Sequence, residues 1–196
     1  MRQVNLVNAQ DEIIGHTDLL DAHRDEGKKH QAVSLFLFHQ TVDGNFELLL
    51  QQRSAEKIVG GKQWANTLCA NLVPSENHLA CLKRRVDEEL GIRWQNTWHL
   101  EEIMVFNYQV TCEKGFSENE IDHLFVSVLS DSEFDNLQVK PHISEVFDFA
   151  WENWEDVKVK KIGKRKLTPW SGLFLDNKEI INKIDQVLIK CQKQRV

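Results

Sequence analysis

One segment constrains the fold of this chain more than any other. From Trp64 to Ile92, WANTLCANLVPSENHLACLKRRVDEELGI sets a cysteine, Cys69, just ahead of a helix whose last turn holds paired acids. Leu79, Leu82, Val86 and Leu90 recur at spacings of three and four, which predicts one buried helical face, with Arg84, Arg85, Glu88 and Glu89 turned largely away from it. Ser75 is the predicted N-cap and Gly91 the predicted C′ residue. Acids in a final turn oppose the helix dipole, which favours cations there. Glu88 and Glu89 therefore point to an outside demand such as a divalent metal.

The rest of the chain reads as more strand than helix. Val4 to Gly15 predicts an opening β-hairpin with its turn at Asn8 to Asp11, and Ala22 to His30 is polar and irregular. Strands are predicted at Val33 to Phe38, Phe46 to Gln52, Ile103 to Val110, Ile121 to Leu129 and Val146 to Trp151. From Asn177 to Cys191, Ile180, Ile181, Ile184, Val187, Leu188 and Cys191 form one stripe and predict a closing amphipathic helix that covers the core. With no repeat, no low-complexity tract and only three prolines, no linker is evident. The expectation is one α/β domain over 1–196, a mixed sheet with flanking helices, with an N-terminal hairpin and metal segment at 1–32 and a terminal helix at 177–191.

Charge and cysteines narrow the function. A net charge of −6 argues against general nucleic-acid binding, which depends on neutralising phosphates, so an anionic ligand has to meet a local cationic pocket. The four cysteines form no CxxC pair and no long apolar run is present, which predicts a reduced, cytoplasmic protein with no membrane partner. Cys81 and Cys191 fall in helical patterns and read as small buried hydrophobes, and Cys112 as incidental. In Ser117–Asp122 a period of two sends Glu118 and Glu120 to one face, where two carboxylates repel unless a proton or cation lies between them. His23 and His30, seven apart, complete a mixed imidazole and carboxylate set suited to Mn²⁺, Zn²⁺ or Mg²⁺. The basic run from Lys158 to Lys166 reads as a solvated face, with a lid that attracts an anionic substrate as the functional alternative. Trp64, Trp151 and Trp154 read as core or pocket walls, and His39, His78, His99, His123 and His142 receive no role.

From Ala70 the chain runs A-x5-E-x7-R-R-V-x-E-E-x-G-I, which resembles the Nudix box G-x5-E-x7-R-E-U-x-E-E-x-G-U with Ala70 for the first glycine and Arg85 for the first glutamate. The resemblance implies a Nudix-type α/β/α sandwich whose box acids hold Mg²⁺ against a diphosphate. An arginine at position 85 points away from hydrolysis, because Nudix hydrolases generally use the glutamate there to bind metal and activate water. A narrower likeness covers most of the chain. AHRDEGKKHQAVSLFLF, LLLQQRSAEK, WANTLCAN, RRVDEELGI, FNYQV, ENEID and KLTPW occur in the order and approximate spacing of the type 1 isopentenyl-diphosphate Δ-isomerases, themselves Nudix-fold enzymes.

That resemblance implies an isomerase interconverting isopentenyl and dimethylallyl diphosphates. Cys69 and Glu120 would be its acid and base pair across the allylic unit, Tyr108 would assist proton movement and Trp170 would face the cationic intermediate. His23, His30, Glu118 and Glu120 would hold a buried divalent ion. Glu89 would meet a second Mg²⁺ bound to the substrate diphosphate, while Arg53, Lys57, Arg84 and Arg85 clamp its oxygens. The chain departs from the family pattern at Cys69-Ala70-Asn71, where a histidine ligand usually stands two residues after the cysteine. Asn71 either coordinates through its amide oxygen, favouring Mg²⁺ or Mn²⁺ over Zn²⁺, or marks an altered site. Leu19 stands where some members have a lysine that reaches the diphosphate. Two further classes stay open: a Nudix diphosphate hydrolase, and a repurposed binder or isomerase of another prenyl-like diphosphate. The sequence specifies no oligomeric state.

Overall fold

The structure, a computed structural model, describes residues 2–193. Met1 and residues 194–196, which the expected 1–196 domain includes, lie outside them. Strand β3 (His30–Gln40) organises the rest: all of its HQAVSLFLFHQ run except the last residue is buried, as in a strand covered on both faces. One edge of it runs parallel with β8 (Ser117–Leu129), from His30 opposite Glu120 to His39 opposite Leu129. The other edge is divided among three antiparallel partners. β1 (Gln3–Val7) meets it at His30, β6 (Leu68–Asn71) along Ala32 to Leu35, and β4 (Phe46–Arg53) along Phe38 to Gln40. β2 (Ile13–Asp18) pairs with β1, β7 (His99–Thr111) with β8, and both β5 (Trp64–Ala65) and β9 (Val146–Asn153) with β4. The described residues thus form one mixed sheet of nine strands.

Six helices cover the sheet: α1 (Leu19–His23), α2 (His78–Leu90), α3 (Asp131–Asp135), α4 (Trp154–Lys158), α5 (Pro169–Asp176) and α6 (Lys178–Lys193). Against one face, Trp170 and Phe174 of α5 and Ile180, Ile184 and Val187 of α6 join Phe36, Phe38, Tyr108 and Leu124. Against the other, Cys81, Leu82, Val86 and Leu90 of α2 join Val33, Leu35, Leu37 and Leu68. Each fully buried side chain of this size contributes about 1.5–3 kcal/mol relative to exposure, so the two clusters hold the helices on opposite faces. This is the expected α/β/α sandwich, and the predicted strands and closing helix are present with longer bounds.

Three local expectations differ. The α2 N-cap is Asn77, whose side chain accepts from the Ala80 N–H at 2.8 Å, while Ser75 takes a left-handed φ of 67° in the preceding turn. Leu79 is exposed, and Arg85 and Glu89 are buried in its place, so the inward face of α2 includes an ion pair. Five residues of the stretch read as irregular or unassigned, Leu19 to His23, form α1, started by the Asp18 side chain on the Leu20 N–H at 2.9 Å. Gly91 ends α2 as expected, at φ 61°. A Cβ there would stand 2.4 Å from the carbonyl oxygen of Lys140.

Candidate functional site

A cleft of about 330 Å³ opens where β6, β8, α1 and the inward face of α2 converge. Its floor is set by sheet register. Tyr108, Glu120 and His30 lie side by side on β7, β8 and β3, and Cys69, opposite Ser34 on β3, comes from β6. The Cys69 thiol contacts Glu120 Oε2 at 3.8 Å, and the Tyr108 hydroxyl donates to the same oxygen. On Oε1, the Asn71 amide nitrogen donates at 2.8 Å and His30 Nε2 stands at 3.3 Å. Asn71 thus presents its nitrogen, not its oxygen, to the carboxylate. His23 Nε2 lies 2.9 Å from Glu118 Oε2.

Burial and neighbouring carboxylates hold the floor's protons tightly. Burial, and then Glu120, push the Cys69 thiol and the Tyr108 phenol well above their ordinary ranges, so both stay protonated. Burial and Glu120 likewise raise Asp122, whose Oδ2 accepts from Ser34 at 2.8 Å. Burial alone would depress His23, but Glu118 outweighs it and raises the imidazole to about 9. Burial would raise Glu118, yet His23 and His30 bring it below the ordinary carboxylate range.

The donor set suits a divalent cation. His23, His30, Glu118 and Glu120 are all buried and offer ligand atoms within 4.8 Å of one another. His23 Nδ1 bonds the Leu19 carbonyl and His30 Nδ1 the Lys28 carbonyl, each at 2.7 Å. Those bonds place a proton on Nδ1 of each ring and turn both Nε2 atoms toward the carboxylates, the usual orientation of ligating imidazoles. His30 Nε2 and Glu118 Oε2 are buried and face Glu120 and His23 without an aligned hydrogen bond, an arrangement that a cation between them would satisfy.

At the mouth the charges are cationic and already paired. Glu89, buried in the last turn of α2, contacts Lys57 at 3.1 Å, Arg85, and Gln51 at 3.0 Å. Burial opposes its ionisation, but Lys57, Arg85 and Arg53 bring it down to about 2. Glu145 bonds both Lys57 and Arg85 from the segment before β9. Arg53 lies over the Trp170 ring, 5.0 Å from its centroid, and donates through Nε to the Val59 carbonyl. Trp170 itself is buried at the cleft wall.

Two expectations need correction. Arg84 does not line the cleft. Its guanidinium bonds both carboxylate oxygens of Glu76 at 2.7 Å and Glu88 at 3.1 Å on the flank of α2. Glu88 is exposed and serves the two arginines, so only Glu89 of the paired acids faces inward. The basic run from Lys158 to Lys166 stays off the cleft, with Lys158, Lys160, Lys161, Arg165 and Lys166 paired to nearby acids. Sequence reasoning missed Arg2 and Glu145, which line the mouth from distant segments and carry no local motif. It also missed Asp122, although the period of two that joined Glu118 to Glu120 extends to it.

Comparison with known proteins identifies the family and the fold. The NUDIX domain model matches residues 28–171. The isopentenyl-diphosphate Delta-isomerase of Nocardia farcinica is 33% identical over 175 residues, covering 88% of this chain and 92% of that protein. The enzyme of the same name from Aliivibrio fischeri is 32% identical over 185 residues, covering 94% and 97%. Among solved structures, a Deinococcus radiodurans protein superposes with a TM-score of 0.67 at 16% identity, over 89% of this chain and 97% of that one, a likeness of fold. No helix among the described residues is long and apolar enough to cross a membrane. From its box, its sandwich and these relatives, the chain belongs to the NUDIX family and, within it, to the isopentenyl-diphosphate Delta-isomerases.

Proposed function

We propose that this protein interconverts isopentenyl and dimethylallyl diphosphates by moving the double bond one carbon along the chain. The observation that carries the reading is the 3.8 Å contact of Cys69 with Glu120 at one end of a cleft whose other end gathers Arg53, Lys57 and Arg85. An unactivated alkene shifts only if an acid and a base both reach the same small hydrocarbon. The Cys69 thiol, held protonated, gives its proton to the terminal methylene carbon. The π electrons form that C–H bond and leave a tertiary cation. Glu120 then takes a proton from the carbon on the diphosphate side, and the freed electron pair closes the new double bond, so the formula is unchanged. Because thiol and carboxyl touch, the proton can return to Cys69 and reset the site, with Tyr108 on Glu120 Oε2 as a second proton carrier. The hydrocarbon enters by parting the two groups.

Trp170 offers the cation an aromatic wall, worth about 2 kcal/mol when desolvated. His23, His30, Glu118 and Glu120 are the residues that would hold a divalent ion, Mn²⁺ or Mg²⁺ ahead of Zn²⁺, with Asn71 steadying Glu120. Such an ion would supply the positive charge that two adjacent buried carboxylates require. Glu89 is the box acid placed for a Mg²⁺ carried in on the diphosphate, while Arg53, Lys57 and Arg85 exchange internal partners for its oxygens. The free thiols of Cys69, Cys81 and Cys112 suit a reducing, cytoplasmic setting. The test is incubation with isopentenyl diphosphate and Mg²⁺ in D₂O, followed by NMR. Deuterium in a dimethylallyl product is expected. Release of phosphate or pyrophosphate, or binding without turnover, would overturn the proposal, and tightly held stoichiometric Zn²⁺ that disappears in His30→Ala would overturn the choice of ion.

A further inference from the structure

Strand β8 carries a second ionisable cluster on the face turned away from the cleft. Glu118 and Glu120 share one side of the strand, and His123, odd in the alternation, lies on the other. His123 Nε2 stands 2.9 Å from Asp11 Oδ2 in the turn between β1 and β2, and its Nδ1 stands 2.7 Å from Glu102 Oε1 on β7. The ring of His78, first residue of α2, stacks on His123 with centroids 3.8 Å apart. Asp11, His78 and His123 each offer one ligand atom, and these lie within 4.8 Å of one another.

A neutral imidazole has one N–H and one lone pair. It can satisfy one of the two carboxylates facing His123, but its lone pair repels the other. A positive charge has to stand between the second nitrogen and its carboxylate, and two features of the geometry favour a metal over a proton. Glu102 takes the Nδ1–H, the arrangement in which a carboxylate orients a ligating imidazole, and this aims the Nε2 lone pair at Asp11. Asp11 is also fixed in place. Its Oδ1 accepts from Gln31 at 3.0 Å, Gln31 in turn accepts from Asn5 at 3.1 Å, and Oδ2 is left to the cluster. Nitrogen and oxygen ligands about 2.0–2.1 Å from a tetrahedral Zn²⁺ stand about 3.3 Å apart, within the observed spread.

We infer that Asp11, His78 and His123 form a second divalent-metal site, selective for a Zn²⁺-type ion through two imidazoles and one carboxylate, with Glu102 as the orienting group and water completing the shell. It joins three segments remote in sequence, the first hairpin, α2 and β8, without touching the reacting groups.

The test counts bound zinc by mass spectrometry in chelator-stripped protein re-equilibrated with Zn²⁺. Wild type is compared with His123→Ala and Asp11→Asn, and with His30→Ala, which removes a cleft ligand instead. The expected result is one ion fewer per chain in His123→Ala and in Asp11→Asn than in wild type, and the wild-type count in His30→Ala. A Zn²⁺-dependent rise in Tm should be present in wild type and absent in Asp11→Asn, which retains Mg²⁺-supported turnover. Equal zinc counts in wild type and both variants overturn the site. If His123→Ala fails to fold, Asp11→Asn decides alone, since asparagine keeps the side chain's size and tolerates the left-handed φ of 64° at this turn.

Discussion

At the floor of the cleft Glu118 and Glu120 meet two histidines, with Asp122 behind Glu120 and Cys69, whereas at the mouth Arg53, Lys57 and Arg85 crowd three cations around Glu89 and Glu145. The difference lies in what each can exchange. The acids and imidazoles of the floor are buried, Glu120 with 1% of its exposure, so a charge that balances them is poorly exchanged with solvent. The mouth is partly open: the Glu145 side chain keeps 30% of its exposure and that of Lys57 16%. Its cations are held in readiness by internal acids and can trade them for an incoming anion at little desolvation cost. On the proposed function, one cleft combines a fixed cation seat with an exchangeable anion seat.

Four substitutions test that division. The largest effect is expected for Cys69→Ala, which removes the proposed acid from the floor. Turnover should fall by about 10²–10⁴-fold with diphosphate binding retained, read by isomer formation in NMR and by calorimetry. Unchanged turnover would remove the thiol from the chemistry. Glu89→Gln comes next, because it leaves the buried Arg85 guanidinium short of a partner. A loss of roughly 3 kcal/mol is expected in urea unfolding. The same residue predicts an acid limb. Its folded value of about 2 lies below the ordinary 4.5, so its contribution is complete above about pH 4.5 and is lost as pH falls toward 2. Stability measured across that window should decline in wild type and flatten in Glu89→Gln. Lys57→Gln, at the exchangeable mouth, should raise KM about tenfold with kcat little changed, the worth of one charge-assisted hydrogen bond. Smallest is Arg84→Gln, where a KM within about twofold of wild type is expected because the guanidinium serves Glu76 and Glu88. A tenfold rise there would return Arg84 to the substrate clamp.

Much of this was legible in the sequence, and the limits have physical reasons. Strand periodicity located the sheet, because burial on both faces leaves continuous apolar runs such as the one in β3. The motifs around Cys69, Glu120 and Trp170 located the floor, because their chemistry is compressed into short strings. The inward face of α2 was misjudged at Leu79, since a hydrophobic pattern gives no credit to an arginine and a glutamate that neutralise each other while buried. Ser75 lost the cap to Asn77 because the turn at Pro74 and Ser75 delays the helix by two residues. Arg2 and Glu145 were invisible, since their proximity to Arg85 and Lys57 is created by the tertiary fold and leaves no spacing to read.

Gly91 shows how little separates the two ends of the cleft in construction. With no methyl group at that position, the strand of chain after α3 can lie flat against the helix end, where the Lys140 and His142 N–H groups donate to the carbonyls of Leu90 and Glu89 at 2.8 and 3.0 Å. Three residues beyond His142 the same ribbon delivers Glu145 to Lys57 and Arg85. An alanine at 91 would wedge this ribbon outward and carry Glu145 with it, unbalancing a cationic anchor from a site that contains no charge at all.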